Sequence, residues 1–196
     1  MNYLAHVYLS GENDEIRLGN FISDSVKGRQ YNEFPDLIRK GIILHRKIDE
    51  FTDNHPVYRQ SRDRFKPGFH KYAGVVTDIF YDHLLLKNWA KYSSVSSQSF
   101  IRHVYVLAFL NYPILPVRVQ KFLPFMILRD WLGTYRTIEG IDSIFERMAK
   151  RTTLPAESGF AIKVIRENYE EFDKEFNIFF DEIIDFVKDL GFDIIR

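Results

Sequence analysis

Between Gly41 and Pro56 the chain reads Gly-Ile-Ile-Leu-His-Arg-Lys-Ile-Asp-Glu-Phe-Thr-Asp-Asn-His-Pro. On a helix, His45 and Asp49 stand one turn apart, on the face that also carries Ile38, Ile42 and Thr52. An imidazole and a carboxylate on an apolar face need a partner, a proton or a metal. A second stretch repeats the pattern: Asp78 and Asp82 are one turn apart with His83 next door, among Val75, Leu85 and Trp89. Asn20 and Asp24 make a third polar pair in an apolar setting. Together Asp24, Asp49, Asp78 and Asp82 would put four carboxylates into one core, and like charges that close stay ionised together only around a cation. The chain has no cysteine, so the donors are Asp, His, Glu or Asn. Such a set suits Mn, Mg, Fe or a His-rich Zn site, not a structural zinc, and the chemistry it suits is hydrolysis.

The remaining histidines read differently. His70 and His103 lie beside Lys71 and Arg102 and are expected at the surface. His55 precedes a proline and reads as a turn residue. The spacing around His6 in Asn-Tyr-Leu-Ala-His does not decide its role. A glycine-rich phosphate loop, a Gly-x-Ser-x-Gly elbow and a His-Glu-x-x-His pattern are all missing from the sequence, which argues against nucleotide-binding, serine-hydrolase and zincin chemistry.

These side chains must be positioned by helices. The 196 residues are 45% hydrophobic, with 18 Phe, enough to bury a core in one domain spanning 1–196. No period-two alternation runs long enough for a sheet, and the pattern predicts an all-α single-domain bundle of seven or eight helices. Asn2 is expected to cap a first helix to Ser10. Asp14 caps a second that closes at Gly28, and Pro35 opens a third over Asp36 to Phe51. Val57–Phe65, Phe69–Tyr92, Phe100–Leu110, Val117–Leu132 and Ile138–Ala149 follow. A final long helix carries Ile165, Tyr169, Phe172, Phe176, Phe179, Ile183, Val187 and Leu190 as core positions until Gly191. Met1 is followed by no basic segment leading into an apolar run, so no signal peptide is expected. The run from Tyr105 to Val119 is interrupted by Asn111, Pro113 and Pro116, so no membrane span is expected either, and the location is read as cytoplasmic.

The sequence resembles the acyl carrier protein phosphodiesterase family through Asn2-Tyr-Leu-Ala-His6, Gly19-Asn-Phe-Ile-Ser-Asp24 with Lys27-Gly28, Leu44-His-Arg-Lys-Ile-Asp49 with Thr52-Asp-Asn54, and Asp78-Ile-Phe-Tyr-Asp-His83. The likeness is specific over residues 1 to about 90 and looser beyond. That family is similar to the HD-domain metal-dependent phosphohydrolases, of which it looks like a divergent branch. The resemblance implies hydrolysis of the phosphodiester that joins 4'-phosphopantetheine to a serine of holo acyl carrier protein, with Mn first among divalent ions and Mg or Fe as alternatives. HD domains carry an adjacent His-Asp pair, whereas this chain has only Asp82-His83 in the reverse order, so ligands do not transfer through that dipeptide.

On this reading Asp24, His45, Asp78, Asp82 and His83 are the expected metal ligands. Asp49 is either a further ligand or the proton acceptor, and it stands with His6 as a candidate catalytic residue. Arg46 and Lys27 are candidates for phosphate contact. Net charge is zero overall, but Lys27 to Lys71 holds eleven Lys or Arg against six Asp or Glu, and Glu157 to Arg196 holds five against eleven. Arg39, Lys40, Arg59, Arg62 and Arg64 are therefore expected to dock the acidic carrier protein, with neither nucleic acid nor membrane as partner. Two rivals stand beside it: an HD-like phosphohydrolase of a nucleotide or other small phosphodiester, and a non-enzymatic helical binding module with a closed polar network.

Overall fold

The computed structural model describes residues 1–194, and among them there is helix and no strand. Thirteen α-helical segments run in the order α1 (Tyr3–Tyr8), α2 (Asp14–Ile22), α3 (Asp36–Asn54), α4 (Pro56–Asp63), α5 (Lys66–Phe69), α6 (Ala73–Lys87), α7 (Trp89–Tyr92), α8 (Ser97–Leu110), α9 (Val117–Leu128), α10 (Trp131–Thr134), α11 (Ile138–Arg151), α12 (Ser158–Glu167) and α13 (Tyr169–Asp189). Each helix expected from the pattern has a counterpart. The number is higher because three predicted helices are broken, the 69–92 stretch at Asn88, the 117–132 stretch at Arg129 and Asp130, and the C-terminal one at Asn168, and because the short α5 is additional. No helix of the described residues is long and apolar enough to cross a membrane.

Local chemistry sets the ends. Asn2 caps α1, its side chain accepting from the Tyr3 N–H. The cap of α2 is Asn13, one residue before the expected Asp14. Its carboxamide accepts from the Glu15 and Ile16 N–H groups, which frees Asp14 to pair with Arg17 and His103. Pro35 stands just outside α3 as its N-cap. After Ile22 the chain tightens into a 3₁₀ turn over Ser23–Ser25, so Asp24 leaves the helix and comes to the surface. Gly191, at φ +86°, ends the C-terminal helix as expected.

The core is built on α13. Phe172, Phe176, Phe179, Phe180, Ile183 and Val187 are fully buried, and their rings meet Phe65, Phe80, Tyr81 and Tyr92 from α4 to α7.

α2 and α3 cross so closely that backbone meets backbone. A methyl group added at Gly41 would lie 2.0 Å from the Ile16 carbonyl oxygen, and one at Gly19 would lie 2.0 Å from that of Ile38. Only hydrogen fits at either position, and this contact sets Asn20 of α2 against His45 of α3. Gly41→Ala must push the helices apart, and we expect it to cost about 3 kcal/mol or more in denaturant unfolding, at the upper end for overpacked cores.

Candidate metal centre

His6 comes from α1, His45 and Asp49 from α3, and Asp24 from the turn after α2. The His45 Nε2 lies 3.2 Å from Asp49 Oδ2 and 3.3 Å from Asp24 Oδ1. On its other side His45 Nδ1 donates to the Asn20 side-chain oxygen at 2.9 Å and to the Asn20 backbone carbonyl at 3.1 Å. That fixes the ring with Nε2 facing the carboxylates. Asn20 is itself fully buried, its amide donating to the His6 carbonyl at 2.8 Å and to Ser10 Oγ at 2.9 Å, so it ties the histidine-bearing segments of α1 and α3 together. The sequence marks it only as a polar residue in an apolar helix and names no role for it.

The two imidazoles stack face to face, with centroids 3.8 Å apart and planes 14° from parallel. Two charged rings cannot share that geometry. His6 is the one that stays neutral: burial first, and then the charge on His45, bring its pKa down to about 4. Its Nε2 meets Asp49 Oδ1 at 3.1 Å, and among the described residues its buried Nδ1 has no hydrogen-bond partner. For His45, burial opposes the charge, but the hydrogen bonds it donates to Asp24 and Asp49 outweigh it and raise the pKa to about 9. Asp49 resists burial in the same way and is held well below the usual carboxylate range by its two histidines.

One donor atom from each of His6, His45 and Asp49 can be chosen so that all lie within 4.8 Å of one another, a spacing that could hold a metal ion. The donor set fits a divalent cation: one neutral imidazole, a second oriented by Asn20, and ionised carboxylates held in place. Binding must displace the His45 proton below about pH 9. His6 has already lost its proton at neutral pH. Divalent-metal affinity is therefore expected to rise with pH between 6 and 9 by up to about tenfold per unit, a slope that calorimetric titration at several pH values reads directly.

The other expected ligands are placed differently, and four carboxylates do not share a core. Asp24 and Asp49 keep 61% and 42% of their side-chain surface exposed. Asp78 stands at the edge of the cluster: its Oδ1 accepts from the Tyr58 hydroxyl at 2.6 Å and lies 3.3 Å from the buried Met1 amino group, which is 3.5 Å from Asp49. Burial raises the Asp78 pKa, against the pull of that amine and of Tyr58. Asp82 is fully buried, and its carboxylate accepts from the Leu4 and Ala5 N–H groups at 2.9 and 3.0 Å. The partner that its burial demands is the N-terminal turn of α1. His83 is turned away altogether: Nδ1 donates to the Tyr135 carbonyl at 2.8 Å and Nε2 accepts from the Tyr169 hydroxyl at 2.9 Å. With both nitrogens occupied outside the cluster, His83 is not among its donors.

The basic candidates are largely engaged within the chain. Arg46 donates to the Val26 and Gly28 carbonyls at 3.3 and 3.0 Å and lies over the Tyr31 ring, fastening the loop behind Asp24. Lys27 is exposed on that loop. Arg39 pairs with Asp36, Arg62 with Asp63, and Arg59 donates to the Asp53 carbonyl and Asn54. Arg64 is held by two 2.6 Å bonds to Glu175 and covers Phe172, while Lys40 stays exposed.

A cavity of about 420 Å³ adjoins the cluster. Asp24, Asp78 and Met1 line it together with the apolar side chains of Val75, Ile79, Met126, Trp131, Ile144 and Met148, and with Arg129, Arg147 and Arg151. Asp24 joins the hard-donor cluster to a mainly apolar pocket with cationic groups, an arrangement that suits an extended substrate with an anionic centre.

Comparison with known proteins gives the chain a family. The family model described as acyl carrier protein phosphodiesterase matches residues 1–183. Proteins named acyl carrier protein phosphodiesterase are similar along most of the chain: that of Photorhabdus laumondii is 32% identical over 178 residues, 90% of this chain and 89% of that protein. The Yersinia enterocolitica protein is 29% identical over 181 residues, covering 92% and 94%. The Serratia proteamaculans protein is 28% identical over 190 residues, covering 96% and 98%. No solved structure matches. A family model that spans nearly the whole chain and relatives alike from end to end lead to one conclusion: the chain belongs to the acyl carrier protein phosphodiesterase family.

Proposed function

We propose that this protein hydrolyses the phosphodiester joining 4'-phosphopantetheine to a serine of holo acyl carrier protein, and that His6, His45, Asp49 and Asp24 hold the divalent ion the reaction uses. The observation that carries the reading is the convergence of those four side chains beside a pocket, in a chain of this family. A mixed imidazole and carboxylate set favours Mn or Fe over Mg. When bound there, such an ion supplies Lewis acidity, acidifying water and offsetting the charge that develops on the phosphoryl oxygens.

The chain's own groups do the rest. Asp49 holds both imidazoles, and Asn20 keeps His45 aimed at the site. Asp78, whose pKa burial raises, is a stronger base than an ordinary surface carboxylate and lines the same pocket. It is the group that takes the proton from the attacking water. The water oxygen bonds to phosphorus, the bond from phosphorus to the serine oxygen breaks, and that oxygen takes up the proton removed from the water, which returns Asp78 to its ionised form. The products are the apo carrier protein and 4'-phosphopantetheine. Lys27, three residues from Asp24 in sequence, is exposed and does not line the pocket, whose cationic side chains are Arg129, Arg147 and Arg151.

The test is to incubate chelator-treated protein with holo carrier protein, with and without Mn, and to follow the carrier by intact-mass spectrometry. Mn-dependent loss of the whole phosphopantetheine arm is expected. An unchanged carrier protein at any metal concentration, with turnover of nucleotides or generic phosphodiesters instead, would reject the substrate assignment.

A further inference from the structure

We propose that the outward face of α9, with the arginines of the adjoining pocket, is the docking surface for the protein that carries the phosphodiester, and that this partner's contact surface is acidic with apolar side chains at its centre. This rests on the phosphodiesterase reading for the identity of the partner, and on the structure for the face.

Three observations converge. The first is apolar exposure. Of the thirteen exposed large hydrophobic residues among the described residues, eight lie between Val106 and Leu128. On α9, Val117, Phe125 and Leu128 are 65%, 55% and 83% exposed, far more than a solvated helix of a monomer needs.

The second is charge. Arg118, Lys121, Phe125 and Leu128 follow one another at spacings of three or four, and Arg129 stands four residues after Phe125, so cations flank the apolar stripe on one helical face. Among the described residues no acidic side chain pairs with Arg118, Lys121, Arg129, Arg147 or Arg151, whereas most cations of the 27–71 stretch have partners within the chain. Unpaired arginines beside exposed apolar groups are the complement of an acidic surface with an apolar centre.

The third is continuity with the chemistry. Arg129 from the end of α9, with Arg147 and Arg151 from α11, lines the same pocket as Asp24 and Asp78. A protein seated on α9 would therefore have its tethered phosphodiester next to the His6, His45 and Asp49 cluster. The basic stretch from Lys27 to Lys71, chosen by charge density in the sequence, offers neither an exposed apolar centre of this extent nor a lining role in the pocket, where no Lys or Arg of that stretch appears.

The experiment compares binding of holo carrier protein to the full-length wild type, to Lys121→Glu/Leu128→Asp, to Arg129→Glu/Arg151→Glu and to Arg39→Glu/Lys40→Glu, by titration at two salt concentrations, with wild-type turnover followed in parallel. At least tenfold weaker binding for each of the first two variants, a shallower salt dependence for the second, and less than threefold change for the Arg39/Lys40 variant are expected. Circular dichroism melting of the variants keeps a folding defect from being read as lost docking. Wild-type affinity in both α9-side variants, or a loss confined to the Arg39/Lys40 variant, would overturn the proposal. So would a wild-type dimer in sedimentation that the Leu128 variant dissociates while carrier affinity stays unchanged, since the face would then belong to a second copy. Salt-sensitive binding by a wild type that never releases the arm would defeat the phosphodiesterase reading and leave the docking face standing.

Discussion

His45→Ala and Asp49→Ala are each expected to lower kcat/KM for release of the phosphopantetheine arm by about 10³-fold or more, the scale of the several kcal/mol that a catalytic cation contributes to a charged transition state. His45 is the hub of the cluster. Its Nε2 faces both Asp24 and Asp49, and its ring is the surface on which His6 stacks. Truncating it removes one donor and leaves two carboxylates without their shared cation. Truncating Asp49 releases both histidines at once. Neither change opens a large hole in the apolar core, so helical content should survive, and circular dichroism checks that. His83→Gln is the informative control. Its ring nitrogens are spent on Tyr135 and Tyr169, outside the cluster, so less than a tenfold loss is expected. A loss at His83 as large as that at His45 would return it to the ligand set.

Asp82→Ala is expected to be the most destabilising carboxylate substitution in the chain, at about 3–5 kcal/mol in chemical unfolding. The carboxylate is completely buried, and among the described residues it is the side-chain acceptor of both the Leu4 and Ala5 N–H groups. Removing it strands two backbone donors in the interior. Asp82→Asn keeps one acceptor oxygen but turns an amide toward the second N–H, so a smaller loss of about 2 kcal/mol is expected. Activity should fall in parallel with the displacement of α1, because α1 carries His6. Metal affinity separates this from a ligand role: Asp82→Asn, assayed well below its melting temperature, should bind Mn within about tenfold of wild type, whereas loss of a true ligand costs more. A folded Asp82→Asn protein with no metal affinity would contradict a purely structural role for this carboxylate.

What can be seen in the sequence, and what cannot, follows from how local each interaction is. The His45 and Asp49 pair is an i, i+4 contact on one helix and is written in the spacing. That Asp82 needs a partner is equally legible, since burial of a carboxylate demands one. Which partner it has depends on a backbone segment 77 and 78 positions away, and periodicity carries no record of that. His83 next to Asp82 reads as a second ligand. Adjacent residues on a helix point about 100° apart, and the rotation carries His83 to Tyr135 and Tyr169. Asn20 shows the opposite case: a buried amide in an apolar helix is visible, but its task only emerges once the Gly19 and Gly41 crossing places α2 against α3. Charge counting points to the 27–71 stretch because it is dense in Lys and Arg. It does not register that Arg39, Lys47, Arg62 and Lys66 are answered by acids one to three residues away, while the pocket arginines lie in the stretch 129–151, where five Lys or Arg against four Asp or Glu leave almost no basic surplus to count.

The central claim is that His6, His45, Asp49 and Asp24, and not the Asp82 and His83 dipeptide, hold a catalytic divalent ion. It is tested most directly by calorimetric titration of Mn into chelator-treated wild type, His45→Ala, Asp49→Ala and His83→Gln at pH 8. Saturable binding is expected in the wild type and in His83→Gln, with affinity lowered at least a hundredfold in His45→Ala and Asp49→Ala. Wild-type Mn affinity in His45→Ala and Asp49→Ala, with binding abolished in His83→Gln, would contradict it.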